Sequence, residues 1–170
     1  MNIKLDELYN LRKSFTYAFR GIVFCIRYER NMRIHIVTTV FVLFFALYFY
    51  KLTSTELIVL ILTCVLVMSL EIVNTAIEVL TDKASPEFSI LARVAKDTAA
   101  GAVLLSALAS LVIGVILFWD VATFGEIVAY FLGNIVALLV LLITMILSCI
   151  FIFTGKKRRK RGTRKNRENK

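Results

Sequence analysis

The chain has 170 residues, of which 59% are hydrophobic, a mean hydropathy of +0.79 and a formal net charge of +9. Ordinary soluble domains contain only about 45–50% apolar residues, so these values exclude a soluble globular protein and predict one integral-membrane domain. The three cysteines, Cys25, Cys64 and Cys149, form no CxxC pair and no Cys/His cluster. They therefore predict neither a disulfide framework nor a zinc site, and we interpret them as packing residues.

The first predicted element is an amphipathic helix over residues 4–28. Its apolar residues recur at helical spacing between basic ones, at Leu8, Leu11, Phe15, Phe19, Ile22 and Ile26. This segment is too long and too polar for the start of a cleavable signal peptide, so the membrane segments are expected to be retained. The helix either lies on the cytoplasmic membrane surface or packs over the inner ends of the spans. Both arrangements place Tyr17 and Glu29 beside those ends.

Four apolar runs follow, at about residues 34–50, 57–80, 99–119 and 127–153. Each is near the ~20 residues that carry a helix across hydrocarbon, which predicts an all-α membrane protein with a surface helix and four transmembrane helices. Twenty of the 21 Lys and Arg residues precede the first span, lie in the 82–98 loop or follow the fourth span. By the positive-inside rule, both termini and that loop are cytoplasmic. The outer connections, KLTSTE and DVATFGE, are predicted to be short loops.

A polar stripe occupies the inner half of the second span. Glu71, Asn74, Glu78 and Asp82 are three, four and four residues apart, so they share one face of a helix. Carboxylates within a span cost about 2.5–3.5 kcal/mol each and are normally paired, protonated or functional. Basic residues of neighbouring helices could neutralise them. Alternatively, one carboxylate binds a hard divalent cation while the deeper one acts as a base.

Other polar residues lie in and beside the cytoplasmic loop. Lys96 suits a phosphate group, but a salt bridge with Asp82 or Glu78 explains it equally well. Asp97 falls at the predicted start of the third span, where an acid is also an ordinary helix cap. Glu87 lies in the loop itself.

The segment RYERNMRIH precedes the first span and places Glu29 among Arg27, Arg30 and Arg33. From the residues alone, Glu29 is a solvated or Arg-paired acid, and His35 is interpreted as an interfacial residue. No GxxxxGK[ST], GxGxxG, HRD or DFG pattern occurs, which argues against a P-loop or protein-kinase nucleotide site.

Two segments closely resemble the signature of the small prokaryotic membrane lipid kinases, the diacylglycerol kinase and undecaprenol kinase family. They are EIVNTAIEVLTD (71–82) and AKDTAAGAVLL (95–105). The glutamate before RNMRIH and the upstream YAFRG resemble the same family's surface helix, so the likeness covers about residues 14–119. It implies ATP- and Mg²⁺-dependent phosphorylation of a lipid hydroxyl at the cytoplasmic face of a bacterial cell membrane, in a homotrimer whose sites form between neighbouring three-span chains.

The resemblance also implies a role for individual residues. Glu71 matches the general base that takes the proton from the lipid hydroxyl, and Asn74 matches a polar partner of that base at the substrate. Glu29 and Glu78 match the Mg²⁺ ligands. The positions that match ATP contacts are Tyr17, Glu29, Glu78, Glu87, Lys96 and Asp97. Near the N-terminus, the basic nucleotide contact is Arg12, Lys13 or neither.

The chain departs from the family in having a fourth span. We therefore divide it into a surface helix (1–33), a three-span kinase core (34–119), an additional transmembrane helix (120–154) and a basic tail (155–170). The additional helix must lie outside the trimer contacts or alter them. The tail and its ten basic residues are expected to anchor the topology and contact anionic lipid. Nucleic acid is not an expected partner, because no aromatic or folded reader accompanies the charge.

The sequence thus predicts a lipid kinase whose acceptor is undecaprenol, with diacylglycerol as the alternative acceptor. A different class of function is a non-catalytic membrane anchor whose polybasic tail binds a partner. A proton-coupled transporter is disfavoured, because the outer halves of the spans lack polar residues.

Overall fold

The computed structural model describes residues 3–84 and 89–156, which form helices and no strands. The helices are α1 (Ile3–Tyr28), α2 (Arg30–Phe45) with a π-helical turn (Ala46–Tyr50), α3 (Ser54–Ala84), α4 (Ile90–Phe118), α5 (Val121–Gly133) and α6 (Ile135–Phe153). Four stretches within them are long and apolar enough to span a membrane: Arg30–Tyr50, Ser54–Ala84, Ile90–Phe118 and Ile135–Phe153. The all-α membrane fold is therefore confirmed.

Helix α1 contacts α2 and α3, and among its described side chains burial is confined to the last turns. Cys25 is buried there. Earlier apolar residues, such as Phe15, Phe19 and Ile22, stay exposed, so most of this amphipathic face is available to lipid. We refer to this side of the molecule as the α1 end of the bundle.

Helix α3 begins with a capping box. The Thr53 backbone N–H and hydroxyl both donate to Glu56 Oε2, at 2.8 and 2.7 Å, and the Glu56 N–H donates to Thr53 Oγ1 at 3.4 Å. These bonds satisfy N–H groups that a helix start leaves without intrahelical partners. With 31 residues, α3 is about 46 Å long. Since the hydrocarbon core is only about 30 Å thick, its last turns carry their polar residues beyond the most apolar zone.

Helix α3 is central, because α4 packs along one side of it and α2 along another. The contact with α4 is close, since the buried residues of α4 are Ala99, Val103 and Ser106, none of which is large. Small residues let two helices approach closely within a membrane. This packing holds Glu71 and Asn74, the first two residues of the polar stripe, between α2 and α4.

The predicted fourth span, residues 127–153, is not one helix. The chain breaks at Asn134, whose backbone is extended (φ −127°, ψ 91°), and α6 starts at Ile135. The Asn134 side chain accepts a hydrogen bond from the Ala137 N–H at 3.1 Å, which caps α6. The prediction that DVATFGE forms a loop is also wrong, because α5 begins at Val121 and is capped by Asp120.

Helix α5 packs against the π-helical turn at the end of the bundle opposite α1, mainly through aromatic rings. The Phe49 and Tyr130 ring centroids are 5.5 Å apart, and the Phe49 and Phe131 centroids are 6.0 Å apart. Helix α6 then returns toward the α1 end without burying any residue. An apolar groove of about 720 Å³ lies between α2 and α5–α6, so α6 is held to the bundle more loosely than α3 or α4.

The Asn134 cap provides a test of this break. Replacing Asn134 with Ala should destabilise the protein by about 1 kcal/mol, because α6 loses the side chain that accepts from its first turn. Thermal unfolding in detergent micelles measures the effect. Asn134→Ser, which can still cap, is the matched control, and an equal loss in both variants would argue against capping as the cause.

Candidate active site

Two side chains of α3 are buried with polar atoms that lack a partner in the described parts of the chain. Glu71 is 2% exposed and Asn74 is 8% exposed. Glu71 Oε2 and Asn74 Oδ1 accept no hydrogen bond there, whereas the Asn74 amide donates to Glu78 Oε1 at 3.5 Å. A buried polar atom without a partner costs about 1–3 kcal/mol. The site is therefore poised to receive a hydrogen-bond donor.

A cavity of about 280 Å³ lies in front of these atoms, between α2, α3 and α4. Its lining residues are Asn31, Ile34, His35, Glu71, Asn74, Ala100, Val103, Leu104 and Ala107. Ile34 and Leu104 are exposed, so the cavity opens to the outside of the bundle. A polar floor reached through an apolar opening suits the head of a molecule whose tail stays in lipid.

Two residues of α2, Asn31 and His35, belong to this cavity, although the sequence assigned neither to a site. They are four residues apart and therefore share a face of α2. Asn31 lies within hydrogen-bonding reach of the Glu71 carboxyl group, and His35 is half-buried. The spacing was visible in the sequence, but it does not show which face of α2 meets α3.

The predicted Glu29 stands at the break between α1 and α2. Its backbone is extended (φ −103°, ψ 121°), and its N–H donates to the Cys25 carbonyl at 2.8 Å. Both Glu29 and Glu78 lie close enough to Glu71 to interact electrostatically with it. The structure therefore brings three of the predicted acids into one cluster, from α3 and from the α1–α2 break.

Cys25 lies against this cluster and is a further residue that the sequence did not assign to the site. Its side chain is 3% exposed and lies next to Thr75, Glu29 and Glu71. Burial raises the pKa of the Cys25 thiol above its ordinary value, and the negative charges of Glu29 and Glu71 act in the same direction. The thiol is therefore neutral at physiological pH and packs as a small apolar group.

Lys96 of α4 forms an ion pair with Asp82 of α3, which was one of the alternatives for this lysine. Both side chains are more than a third exposed, so the pair contributes little stability and can exchange partners readily. The capping alternative for Asp97 is wrong. Helix α4 begins at Ile90, and its cap is Ser89, whose side chain accepts from the Ala92 N–H at 3.4 Å.

The remaining predicted nucleotide residues are more distant or not described. Tyr17 is exposed on α1, about 12 Å along the helix axis from Cys25, and the Lys13 Nζ lies 5.9 Å from its ring centroid. Arg12 is exposed on the same helix. Glu87 and most of the basic tail lie outside the described residues.

The described side chains provide only part of the ligands that a divalent cation needs. Within residues 3–84 and 89–156, no group of three His, Cys, Asp or Glu side chains is placed to hold a metal ion. Glu29 and Glu78 offer the hard carboxylate oxygens that Mg²⁺ prefers, and Mg²⁺ is commonly bound by one or two carboxylates plus substrate phosphates. These two residues therefore fit a cation that arrives with a phosphate ligand.

The family model of prokaryotic diacylglycerol kinase matches residues 16–118. A diacylglycerol kinase from Synechocystis sp. is 43% identical over 106 residues, which cover 62% of this chain and 60% of that relative. An undecaprenol kinase from Bacillus subtilis is 38% identical over 113 residues, which cover 66% of this chain and 91% of that relative. No solved structure matches significantly. The family match ends with α4, so α5 and α6 lie outside it.

The environment of Cys25 predicts low thiol reactivity. In a variant with Cys64 and Cys149 replaced by Ala, a water-soluble maleimide should label Cys25 at pH 8 at least about tenfold more slowly than after unfolding in SDS, because burial and a raised pKa both reduce the reactive thiolate. The labelling rate of Cys25 should rise only at a pH higher than the pH at which a free cysteine thiol becomes reactive. Labelling at the unfolded rate would contradict the burial of Cys25 beside the acids.

Proposed function

This chain belongs to the prokaryotic diacylglycerol kinase family, and we propose that it transfers a phosphoryl group from ATP to the hydroxyl of a membrane lipid alcohol. The proposed acceptor is undecaprenol and the alternative is diacylglycerol. The segment ERNMRIH supports undecaprenol by its resemblance to that branch, as does a match over 91% of the Bacillus subtilis undecaprenol kinase. The chain matches only 60% of the length of the Synechocystis diacylglycerol kinase. The activity of the whole protein is therefore proposed.

The observation that carries the proposal is the Glu71 Oε2 atom, which accepts no hydrogen bond from the described residues and faces a cavity that opens to the outside of the bundle. A lipid hydroxyl entering between α2 and α4 would donate its hydrogen to this oxygen and relieve the cost of burying it. A carboxylate in that contact can take the proton as the lipid oxygen attacks the terminal phosphorus atom of ATP and ADP leaves. Asn74 and Asn31 would hold the hydroxyl and the carboxyl group in line, since both line the same cavity.

At the other end of the cluster, Glu29 and Glu78 would hold Mg²⁺ together with the phosphates of ATP. When bound, Mg²⁺ neutralises charge on the phosphate oxygens. Lys96 and Asp97 are proposed nucleotide contacts on α4, and Tyr17 and Glu87 are proposed contacts on α1 and the loop. In this scheme, Lys96 exchanges Asp82 for a phosphate, which the exposure of the ion pair permits. The residues of the chain then provide positioning and charge neutralisation, the main demands of phosphoryl transfer.

Both termini and the 82–98 loop are proposed to be cytoplasmic, in a bacterial cell membrane, because twenty of the 21 basic residues lie in these segments. A homotrimer is proposed from the family resemblance. Tyr17 and Asp97 are exposed on the single chain, as expected of residues that complete a site with a neighbouring subunit. The basic tail is proposed to contact anionic lipid headgroups.

Glu71→Gln should lower the rate of phosphate transfer by about 10²–10⁴-fold, because the amide cannot accept the proton. Binding of Mg·ATP should be largely kept, since the substitution preserves shape. Transfer of radiolabel from ATP into undecaprenol or diacylglycerol in detergent micelles, with the product identified by mass, measures the rate and identifies the acceptor. Equal loss of transfer and nucleotide binding would mean that Glu71 is structural.

The matched control is Glu126→Gln, an equal change at an exposed position of α5 outside the family match, which should leave transfer unchanged. The alternative of a non-catalytic membrane anchor predicts the opposite pattern. In that case the wild-type protein phosphorylates neither lipid, Glu71→Gln keeps the biological function, and removal of residues 157–170 abolishes it.

Glu78→Gln should raise the Mg²⁺ concentration needed for half-maximal transfer by about tenfold or more, because a charged oxygen ligand is lost. A magnesium titration at saturating lipid and ATP measures the shift, with Glu126→Gln as the reference. An unchanged requirement would remove Glu78 from the metal site.

A further inference from the structure

Arg33, in the first turn of α2, is buried to an extent unusual for a charged residue, with only 5% of its surface exposed. Its hydrogen bonds go to backbone carbonyls. Its Nη1 donates to the carbonyls of Ile26 at 3.0 Å and Arg27 at 3.3 Å, and its Nε donates to the carbonyl of Ile152 at 3.1 Å. One side chain thus connects α2 to the ends of α1 and α6.

The three carbonyls explain why a cation is tolerated at this place. Ile26 and Arg27 lie in the last turn of α1, and Ile152 lies in the last turn of α6. The last carbonyls of a helix lack intrahelical partners, and each helix C-terminus carries roughly half a negative charge. Arg33 therefore donates to two helix ends at once, and removing it would take a charged side-chain donor away from each.

The residues after α6 strengthen the same contact. The Lys156 N–H donates to the Arg27 carbonyl at 3.1 Å. Gly155 lies directly against the guanidinium group of Arg33, and a Cβ atom at this position would overlap that group. With any larger residue at this position, the guanidinium group or the chain after α6 must shift. We call the set of Arg33, Gly155 and the carbonyls of Ile26, Arg27 and Ile152 the latch.

The latch spans the break that carries Glu29. Helix α1 ends at Tyr28 and α2 begins at Arg30, so the bonds from Arg33 to Ile26 and Arg27 reach across Glu29 from one helix to the other. A break with a single extended residue can bend, and these bonds fix the angle between the two helices. The direction in which Glu29 projects from the break therefore depends on where α6 holds the Arg33 guanidinium.

We propose that Arg33 is a positioning residue for Glu29 and that the end of α6, through Ile152 and Gly155, holds Arg33 in place. The inference rests on the proposed function, because it assigns Glu29 to the Mg·ATP side of the site. It makes α6, which lies outside the family match of residues 16–118, a working part of that site. Glu71 and the lipid cavity lie on α2, α3 and α4, and none of the cavity's lining residues belongs to the latch.

The test uses the full-length protein with Gly155→Ala. The added methyl group should displace the guanidinium and raise the KM for Mg·ATP about fivefold, as expected for modest coupling between packed elements. The KM for the lipid alcohol and kcat should stay within about twofold of the wild type. Gly133→Ala is the matched control, because a Cβ there meets no atom within 4 Å, and it should leave all three constants unchanged.

Arg33 itself provides a second test. Arg33→Lys can still donate to the carbonyls at the end of α1, so its KM for Mg·ATP should fall between those of the wild type and Arg33→Met. Equal effects of Lys and Met, or equal increases in the KM for Mg·ATP and for lipid in Gly155→Ala, would overturn the positioning role. An unchanged KM for Mg·ATP in Gly155→Ala would overturn it as well.

Amide hydrogen exchange of residues 26–33 separates this inference from the proposed function. Exchange should be faster in Gly155→Ala than in the wild type and unchanged in Gly133→Ala, whether or not the protein transfers phosphate. Equal exchange in all three proteins would show that α6 does not hold this segment. If the wild-type protein phosphorylates neither lipid, the proposed function fails, and the exchange comparison still decides whether the latch exists.

Discussion

A buried carboxylate among apolar helices is the constraint on which the molecule depends. Removing Glu71 from water is unfavourable, and the described chain leaves one of its oxygens without a hydrogen bond. Asn31, within hydrogen-bonding reach of the carboxyl group, lessens this cost without removing it. The remaining demand for a donor is the reason for proposing that the cavity receives a hydroxyl group attached to an apolar molecule.

The same constraint accounts for the position of the acids relative to the bilayer. Helix α3 is long enough to extend past the hydrocarbon, so Glu78 and Asp82 lie about two and about three turns nearer to water than Glu71. A charged, phosphate-bearing reactant can approach these residues from the aqueous side, while a lipid reaches Glu71 from the membrane side. The cluster of Glu29, Glu71 and Glu78 is thus arranged at a boundary where a soluble and a membrane-bound reactant can meet.

Local patterns in the sequence were sufficient to predict four spans, the surface helix and the stripe from Glu71 to Asp82. These depend on hydropathy and helical spacing, which act within a single element. The break at Asn134 was missed because the apolar run continues through it, although the Gly133–Asn134 pair was an available turn signal. Asn31, His35 and Cys25 could not be assigned, because one sequence does not show how neighbouring helices are rotated against each other. The contact between Arg33 and Ile152 joins residues 119 positions apart, and no local pattern encodes it.

The apolar groove between α2 and α6 has a consequence for how the protein responds to its membrane. The groove separates much of α6 from α2, α6 buries none of its residues, and Arg33 contacts its last turn. A helix of 19 residues is about 28 Å long, close to the hydrocarbon thickness, and it meets a thicker or thinner bilayer by changing its tilt. The tilting helix ends beside the Glu29 segment. A change in lipid chain length is therefore expected to affect Glu29, on the aqueous side of the cluster.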